Sequence, residues 1–395
     1  MEKETRQNLV LPFRWVPAAL FSIIQALFLV KYSARVMGPY WVPAAAYLLF
    51  VLVSLSLFHG TLDRIGRHAK VFLVLALSFS AVILLAMKQV EPSSLNVDRF
   101  SAIAAFDNNL IHGQFPYAAR THLGQQVSGF PGLFLLLLPF HLLGDPGYFQ
   151  VVAFLLFAFL VWKSGLTGGK RPVLLLLAGA APVFLWECVA RSELFGNMVL
   201  LLVALHWLES GKEETGLRPV AVAGLIAGLL LSTRGIVIVP LVLFFSRFMR
   251  GRGISSWALF LGLSAAAVAL IFLPFYFWDR AAFLANNPFK VQAGYIPTRL
   301  LMAVLAITAV LSFSIRTWDG FLLYSGYILF GTVAVVFCLN VSDVGFKAAV
   351  FESAFDLSYF QFSMPFLLLS LFRTAKAAQS SGGAAVSGTA GPVRS

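Results

Sequence analysis

The sequence is built from long apolar runs that carry almost no charge. Of its 395 residues, 59% are hydrophobic and only 12% are charged, about half of the ~25% that is usual in soluble domains. The apolar runs extend over 15 to 22 residues, and a helix needs about that length to cross ~30 Å of hydrocarbon. Because backbone polar groups in lipid must bond to one another, these runs predict an all-α integral membrane protein.

Twelve apolar runs predict about 12 transmembrane helices, within a range of 11 to 13. The runs cover residues 14–34, 41–58, 70–89, 147–163, 172–187, 195–209, 218–232, 233–248, 256–277, 299–315, 319–339 and 355–372. A further run at 130–144, FPGLFLLLLPFHLLG, is short and carries Pro131, Pro139 and His141. It is compatible with a crossing or with a helix at the interface.

The basic residues favour the second of these topologies, because cytoplasmic segments are enriched in Lys and Arg. With a cytoplasmic N-terminus and 130–144 on the outer face, 18 of the 29 basic residues lie in cytoplasmic segments. If 130–144 crosses, only 12 do. We therefore expect an outer juxtamembrane or re-entrant helix at 130–144 and cytoplasmic termini. The same topology predicts that five polar segments face the outer side, namely 96–132, 188–194, 232–235, 278–299 and 340–354.

This topology divides the chain into four parts. They are an N-terminal group of three spans at 1–95, an outer loop with juxtamembrane helices at 96–146, the remaining spans at 147–372 and a tail at 373–395. The tail is rich in Gly, Ala and Ser, which predicts disorder. Basic residues precede the first run as in a signal peptide, but no convincing cleavage site follows, so we expect an uncleaved first span.

The sequence lacks the motifs that are typical of several classes of function. The net charge of +12 is not arranged in basic blocks with interleaved aromatics, so nucleic acid is not expected as a partner. Cys188 and Cys338 have no CxxC or His at metal-ligand spacing, which predicts neither a disulfide nor a metal site. Phosphate-loop, HExxH and GxSxG motifs are missing from the sequence. We predict no cofactor.

The segment 96–132, NVDRFSAIAAFDNNLIHGQFPYAARTHLGQQVSGFPG, mixes acids, histidines, arginines, amides and aromatics over the longest stretch of the chain. Asp98 at its start could be a general base that takes a proton from a hydroxyl group. Asp98 could equally cap a helix over 99–112. Asp107 lies nine residues further on, on the opposite face of that helix, where we expect a solvated or capping acid.

Other polar residues of the outer segments are candidates for substrate binding. Tyr117, Arg120 and His122 could line a site for a sugar or phosphate, or could anchor the chain at the membrane surface. Arg234, in STRGIVIVP, lies between two apolar runs, where an Arg needs a partner or the headgroup region. A planar guanidinium suits the phosphate of a lipid substrate. Two further candidates, Arg191 and Glu193, lie in WECVARSELFGNM, where Arg191 could instead pair with Glu187.

The loop 278–299 is rich in amides and could hydrogen-bond to sugar hydroxyls. Its polar residues are Arg280, Asn286, Asn287, Lys290, Gln292 and Tyr295. Amides are also ordinary loop residues, so both interpretations stay open.

The order of these features resembles the GT-C superfamily of glycosyltransferases, which use polyprenyl-phosphate-linked sugars. In its bacterial mannosyltransferase-like branch, the first large loop contains an Asp, an aromatic helix, a Gly, a Pro-Tyr pair and a proline-bearing start to the next helix. Those places are filled here by Asp98, Gly113, Pro116, Tyr117 and GFPG at 129–132. ELFGNMVLLLVAL resembles a further helix of that family. Two extra spans precede the loop, and GFPG replaces the usual doubled proline.

The resemblance implies a hexosyltransferase with a GT-C-like fold in the bacterial inner (plasma) membrane. It implies inverting transfer of a sugar such as mannose from a polyprenyl-phosphate donor to a glycan, lipid or protein acceptor on the outer face. Asp98 would be the general base and Arg234 a phosphate ligand, and no DxD pair accompanies Asp98 to suggest a metal. A lipid or glycan transporter (flippase) without covalent chemistry is the alternative. The transporter predicts a polar path to the cytoplasmic side, whereas the enzyme predicts a cavity closed below.

Overall fold

The fold is known from a computed structural model that describes residues 15–211, 216–294 and 296–372. Helices account for all regular structure in these residues, apart from one isolated antiparallel bridge between Arg120 and Gln126. The α-helices are α1 (Val16–Ser33), α2 (Trp41–Ile65, with a π-helical turn at Ser54–Phe58), α3 (His68–Gln89), α4 (Arg99–Ile111), α5 (Pro131–Leu142), α6 (Tyr148–Lys163), α7 (Lys170–Gly179), α8 (Pro182–Val189), α9 (Leu194–Ser210), α10 (Leu217–Leu231), α11 (Ile238–Phe248), α12 (Ile254–Trp278), α13 (Arg280–Ala285), α14 (Pro288–Ala293), α15 (Thr298–Ser312), α16 (Trp318–Val350) and α17 (Met364–Ser370). Short 3₁₀ helices lie at Pro92–Ser94, Pro116–Ala118, Gly235–Val237 and Leu357–Phe362.

The all-α class with several membrane-crossing helices is confirmed, but the count of 12 is not. Five described helices are long and apolar enough to cross, namely α1, α2, α3, α12 and α16. The number rises to seven if two bent pairs each form one span, α7 with α8 at 51° and α13–α14 with α15 at 63°. The other apolar runs form shorter helices of 10–17 residues, such as α6, α9, α10 and α11.

Two predicted elements near the C-terminus are wrong. The run 355–372 is a 3₁₀ helix followed by the seven-residue α17, which is too short to cross a bilayer. The predicted outer loop 340–354 belongs largely to α16, which bends where Gly345 adopts a φ of +84°. The tail at 373–395 lies outside the described residues.

Helix α5 occupies most of the ambiguous run 130–144. Its 12 residues extend over about 18 Å, which is short of the ~30 Å hydrocarbon layer. Pro131 begins the helix, where a missing backbone N–H does no harm. Leu133, Phe134 and Leu137 are buried, and the Phe134 ring stacks on Phe106 of α4 at 3.9 Å between centroids. α5 therefore packs beside α4 as a short helix.

Helix α10 packs along α12 through two glycines. A Cβ on Gly224 would lie 2.7 Å from the Phe260 carbonyl oxygen, and a Cβ on Gly228 would collide with the Ser264 carbonyl. The Ser264 hydroxyl donates a hydrogen bond to the Gly224 carbonyl at 3.0 Å. This close approach is the small-residue packing of membrane helices. α11 packs instead on α15 and α16.

Candidate functional site

A cavity of about 440 Å³ lies where the polar segments of the chain meet. Its volume is within the ~300–1,000 Å³ of ordinary ligand sites. The charged lining residues are Asp98, Arg99, Arg120, Glu193, Arg234 and Asp356. They come from the start of α4, the loop after it, the turn before α9, the turn after α10 and the segment after α16. Segments that are distant in the sequence thus share one cavity, and the 278–299 segment adds Val291.

Asp98 lines the cavity without capping α4. It occupies the N-cap position, yet its carboxylate accepts no capping hydrogen bond. Its backbone carbonyl instead accepts from the Ala102 N–H at 2.8 Å and the Ser101 hydroxyl at 3.1 Å. Among the described residues, its carboxylate has no hydrogen bond or ion pair. The carboxylate is therefore available to a ligand, which removes the support for a purely structural capping role.

Arg99 and Asp356 form an ion pair in the cavity wall, which the sequence analysis did not single out. A guanidinium nitrogen of Arg99 lies 3.0 Å from the carboxylate of Asp356, and the Arg99 guanidinium lies 5.0 Å from the centre of the Tyr359 ring. Burial raises the pKa of Asp356, but Arg99 and Ser358 more than offset it and hold the pKa below its usual range. Asp356 could have been found from the sequence, because it is a lone acid in the apolar run 355–372 and such acids need a partner.

Arg234 and Glu193 form a second, more deeply buried pair. The two side chains are 8% and 3% exposed, and the guanidinium contacts the carboxylate directly. Burial alone raises the pKa of Glu193, but the Arg234 and Arg99 guanidiniums bring it below its usual range. The Nε atom of Arg234 is buried without a hydrogen-bond partner among the described residues. Arg234 therefore retains hydrogen-bonding capacity beyond its contact with Glu193.

The charged lining of the cavity is balanced. Its three acids, Asp98, Glu193 and Asp356, match its three arginines, Arg99, Arg120 and Arg234. Four of the six residues neutralise one another in the two ion pairs. Within the part of the chain that the structure describes, the side chains of Asp98 and Arg120 have no such partner. The cavity thus offers one unpaired carboxylate and one unpaired guanidinium beside two neutral pairs.

Two of the predicted substrate-binding residues, Tyr117 and His122, are not in the cavity lining. The Tyr117 side chain is fully buried, donates a hydrogen bond to the Gly129 carbonyl at 3.0 Å and packs edge-on against Phe106. The His122 ring lies 2.6 Å from the Ser101 hydroxyl and 2.9 Å from the Leu95 carbonyl. These contacts attach the loop after α4 to the start of that helix, so both residues shape the site from outside.

Arg191 is also outside the cavity and has a structural set of contacts. It adopts a φ of +53°, donates to the backbone carbonyls of Met87 and Val90 at 2.6 and 3.0 Å, and pairs with Asp145 at 3.2 Å. Its partner is therefore Asp145 rather than Glu187. Arg191 joins the end of α3 to the turn before α9 and so positions the neighbouring Glu193.

Amides of the 278–299 segment hold two other loops together. Gln126 donates to the Asn286 side-chain oxygen at 3.1 Å. Gln292 donates to the Ser128 carbonyl at 2.7 Å and accepts from the Gly235 N–H at 2.9 Å. The segment thereby fixes the backbone next to Arg234. Tyr295 lies outside the described residues.

A second, smaller cavity of about 200 Å³ lies at the C-terminal ends of α6 and α9 and is lined by Lys163, His206 and Glu209, among other residues. The two cavities share no described lining residue. Fully buried phenylalanines occupy the core between the ends of these helices, namely Phe154, Phe157, Phe184 and Phe195. No cluster of three or more potential metal ligands occurs among the described residues.

No protein-family model, curated protein or solved structure matches this chain. The similarity to the GT-C superfamily therefore stays a prediction that is carried by the residues of the 96–132 segment.

Proposed function

We propose that the 440 Å³ cavity is the active site of a membrane glycosyltransferase. The observation that carries the proposal is that Asp98, an unpaired carboxylate, and Arg234, a buried guanidinium, border the same cavity. The proposed donor is a sugar, such as mannose, on a polyprenyl phosphate. The acceptor is a hydroxyl group of a glycan, lipid or protein on the outer face.

The charge of the lining supports a donor with a single negative charge. Three acids and three arginines leave no net charge, so a diphosphate would bring two negative charges into a neutral, partly buried site. A phosphodiester linking a sugar to a polyprenyl chain brings only one. Ile103, Leu133 and Phe134 also line the cavity and offer apolar contact to the first isoprene units.

The chemistry follows from the two unlike groups that border the cavity, the carboxylate of Asp98 and the guanidinium of Arg234. The oxygen of the acceptor hydroxyl attacks the anomeric carbon of the sugar while Asp98 takes the proton of that hydroxyl. The bond between that carbon and the phosphate oxygen breaks, and its electron pair leaves with the phosphate. Arg234 stabilises the charge that develops on the leaving oxygen. Attack opposite the leaving group inverts the anomeric configuration.

The apolar core below the cavity favours transfer over transport. A transporter needs a polar path to the other side of the membrane, whereas the two described cavities share no lining residue and the core of the helices includes fully buried aromatics. An enzyme whose lipid donor and acceptor both arrive from one side needs no such path.

Replacing Asp98 tests the proposal directly. We expect Asp98→Asn to reduce transfer from a radiolabelled polyprenyl-phosphate sugar by about 10²- to 10⁴-fold, the usual contribution of a general base. Asp343→Asn is the matched control, because Asp343 is an exposed acid outside the cavity lining. If Asp98→Asn keeps activity within tenfold of the wild type, Asp98 is not the base.

A further inference from the structure

The phosphate ligand of the proposed function is already occupied. Arg234 contacts the Glu193 carboxylate in a pair whose members are 8% and 3% exposed. A phosphate cannot take the same guanidinium edge while the carboxylate remains there. Binding of the phosphate at Arg234 therefore requires an exchange of one anion for another, or the use of the remaining donors of Arg234.

We propose that Glu193 is a displaceable internal anion, which occupies Arg234 in the empty cavity and gives way to the donor phosphate by taking up a proton. This inference rests on the proposed function and deepens it. Glu193 would be a positioning residue, since it acts on the donor only through Arg234. The exchange makes or breaks no covalent bond on the protein or the donor except the O–H bond formed on Glu193, whose proton comes from the acid form of the buffer.

Burial supplies the reason for the proton. Glu193 is only 2% exposed, and an ionised carboxylate in such a place is stable only with a partner. Once the phosphate holds Arg234, the displaced carboxylate loses its main partner. Its neutral acid form then becomes favoured, because desolvation raises the pKa of a buried acid.

The other charged groups around Glu193 do not replace that partner. Arg99 acts favourably on it at longer range, and it already pairs with Asp356 at 3.0 Å. Glu187 repels it. Of the remaining charged groups of the cavity, Asp98 has the same charge as Glu193, and Arg120 forms no ion pair with Glu193 in the described part of the chain. The Nε–H of Arg234 donates no hydrogen bond to Glu193 or to any other described residue. A phosphate can accept a hydrogen bond from this group when the side chain shifts.

The exchange couples binding to pH. The pKa of Glu193 is low in the empty site, because of Arg234, and higher in the occupied site, so binding takes up as much as one proton. Affinity for the donor then increases as pH falls, by up to about tenfold per pH unit between the two pKa values. A phosphodiester keeps its single charge throughout the neutral range and contributes no slope of its own.

The test is calorimetric titration of the full-length protein in detergent at pH 6, 7 and 8, in two buffers of different ionisation enthalpy. The probe is farnesyl-phosphoryl mannose, and neutral farnesyl mannoside is its control. For the wild type we expect uptake of up to one proton and a Kd that decreases from pH 8 to pH 6. For Glu193→Gln we expect pH-independent binding, tighter at pH 8 than that of the wild type by about tenfold.

Three results would overturn the inference alone. One is wild-type binding that requires Arg234, shown by its loss in Arg234→Gln, but without proton uptake. Another is a Glu193→Gln protein that binds more weakly at every pH and keeps the slope. A third is a slope that is lost in Glu187→Gln and retained in Glu193→Gln. The first result needs no Glu193 variant, so it stands even if Glu193→Gln does not fold.

Failure of the proposed function has a different outcome. In that case the wild type binds farnesyl-phosphoryl mannose no better than the neutral mannoside, or Arg234→Gln binds as well as the wild type. Arg234 is then no phosphate ligand, and Glu193 has no phosphate to yield to.

Discussion

The replacement Asp107→Asn should stabilise the protein, and the gain should be largest at neutral and alkaline pH. Asp107 lies in α4, outside the candidate spans, and is fully buried rather than solvated as expected from the sequence. Neither of its carboxylate oxygens has a partner among the described residues. Burial raises the pKa of this carboxyl from 3.8 to about 7. The charged form is therefore costly in the folded state.

The size of the effect follows from the two pKa values. The interval from 3.8 to about 7 corresponds to about 4 kcal/mol, at 1.36 kcal/mol per pKa unit. In the unfolded chain the acid ionises from its ordinary pKa, whereas in the folded chain it ionises only near neutrality. Asp107 therefore does not reduce the free energy of unfolding below pH 3.8. The free energy of unfolding decreases as the pH rises from there, and the full loss is reached above about pH 7.

Thermal unfolding of the full-length protein in detergent measures this penalty. Asn has the size of Asp and no charge, so the variant should exceed the wild-type Tm at pH 8 by roughly 5 °C, from an unfolding entropy of about 2 cal/mol/K per residue. At pH 5 the gain should fall to less than half. Asp343→Asn, at an exposed acid, should change neither value. An equal gain at both pH values, or no gain at pH 8, would refute the reasoning.

Three further predictions concern a buried hydrogen bond, an ion pair and a helix–helix contact. Tyr117→Phe removes the hydrogen bond to the Gly129 carbonyl and should reduce the free energy of unfolding by about 1–3 kcal/mol. The Tm should fall while the KM for the donor stays the same. An unchanged Tm with a higher KM would place Tyr117 in the binding site. Asp356→Asn leaves Arg99 without its counter-charge, and because the Asp356 side chain is 38% exposed the loss should be only about 2 kcal/mol, measured as a lower Tm. Gly224→Leu should separate α10 from α12 and yield protein that aggregates on size-exclusion chromatography, whereas Gly262→Leu, at a position with open space, should leave the elution profile unchanged.

The transition from helix to loop was the least predictable part of the fold. The apolar runs predicted helices correctly, but the run 172–187, predicted as one span, is interrupted before Pro182 and bends by 51° between α7 and α8. Hydropathy averages over such breaks because Pro and Gly change it little. The apolar run 355–372 was misassigned for the same reason, since its composition suits a span while the chain folds into a 3₁₀ turn and a short buried helix.

The sequence alone determined the membrane class and drew attention to Asp98, because hydropathy and the isolation of polar residues are properties of the linear chain. It could not indicate which polar residues meet. Arg99 and Asp356 are separated by 257 positions, and Glu193 and Arg234 by 41, so their pairing depends on how α4, α9 and α16 pack. Only that packing separated Tyr117, His122 and Arg191, whose side chains already have hydrogen-bond or ion-pair partners, from Asp98 and Arg120, which are open to a ligand. The residue types in the sequence indicate the candidate site residues, and the tertiary structure determines which of their side chains already have hydrogen-bond or ion-pair partners.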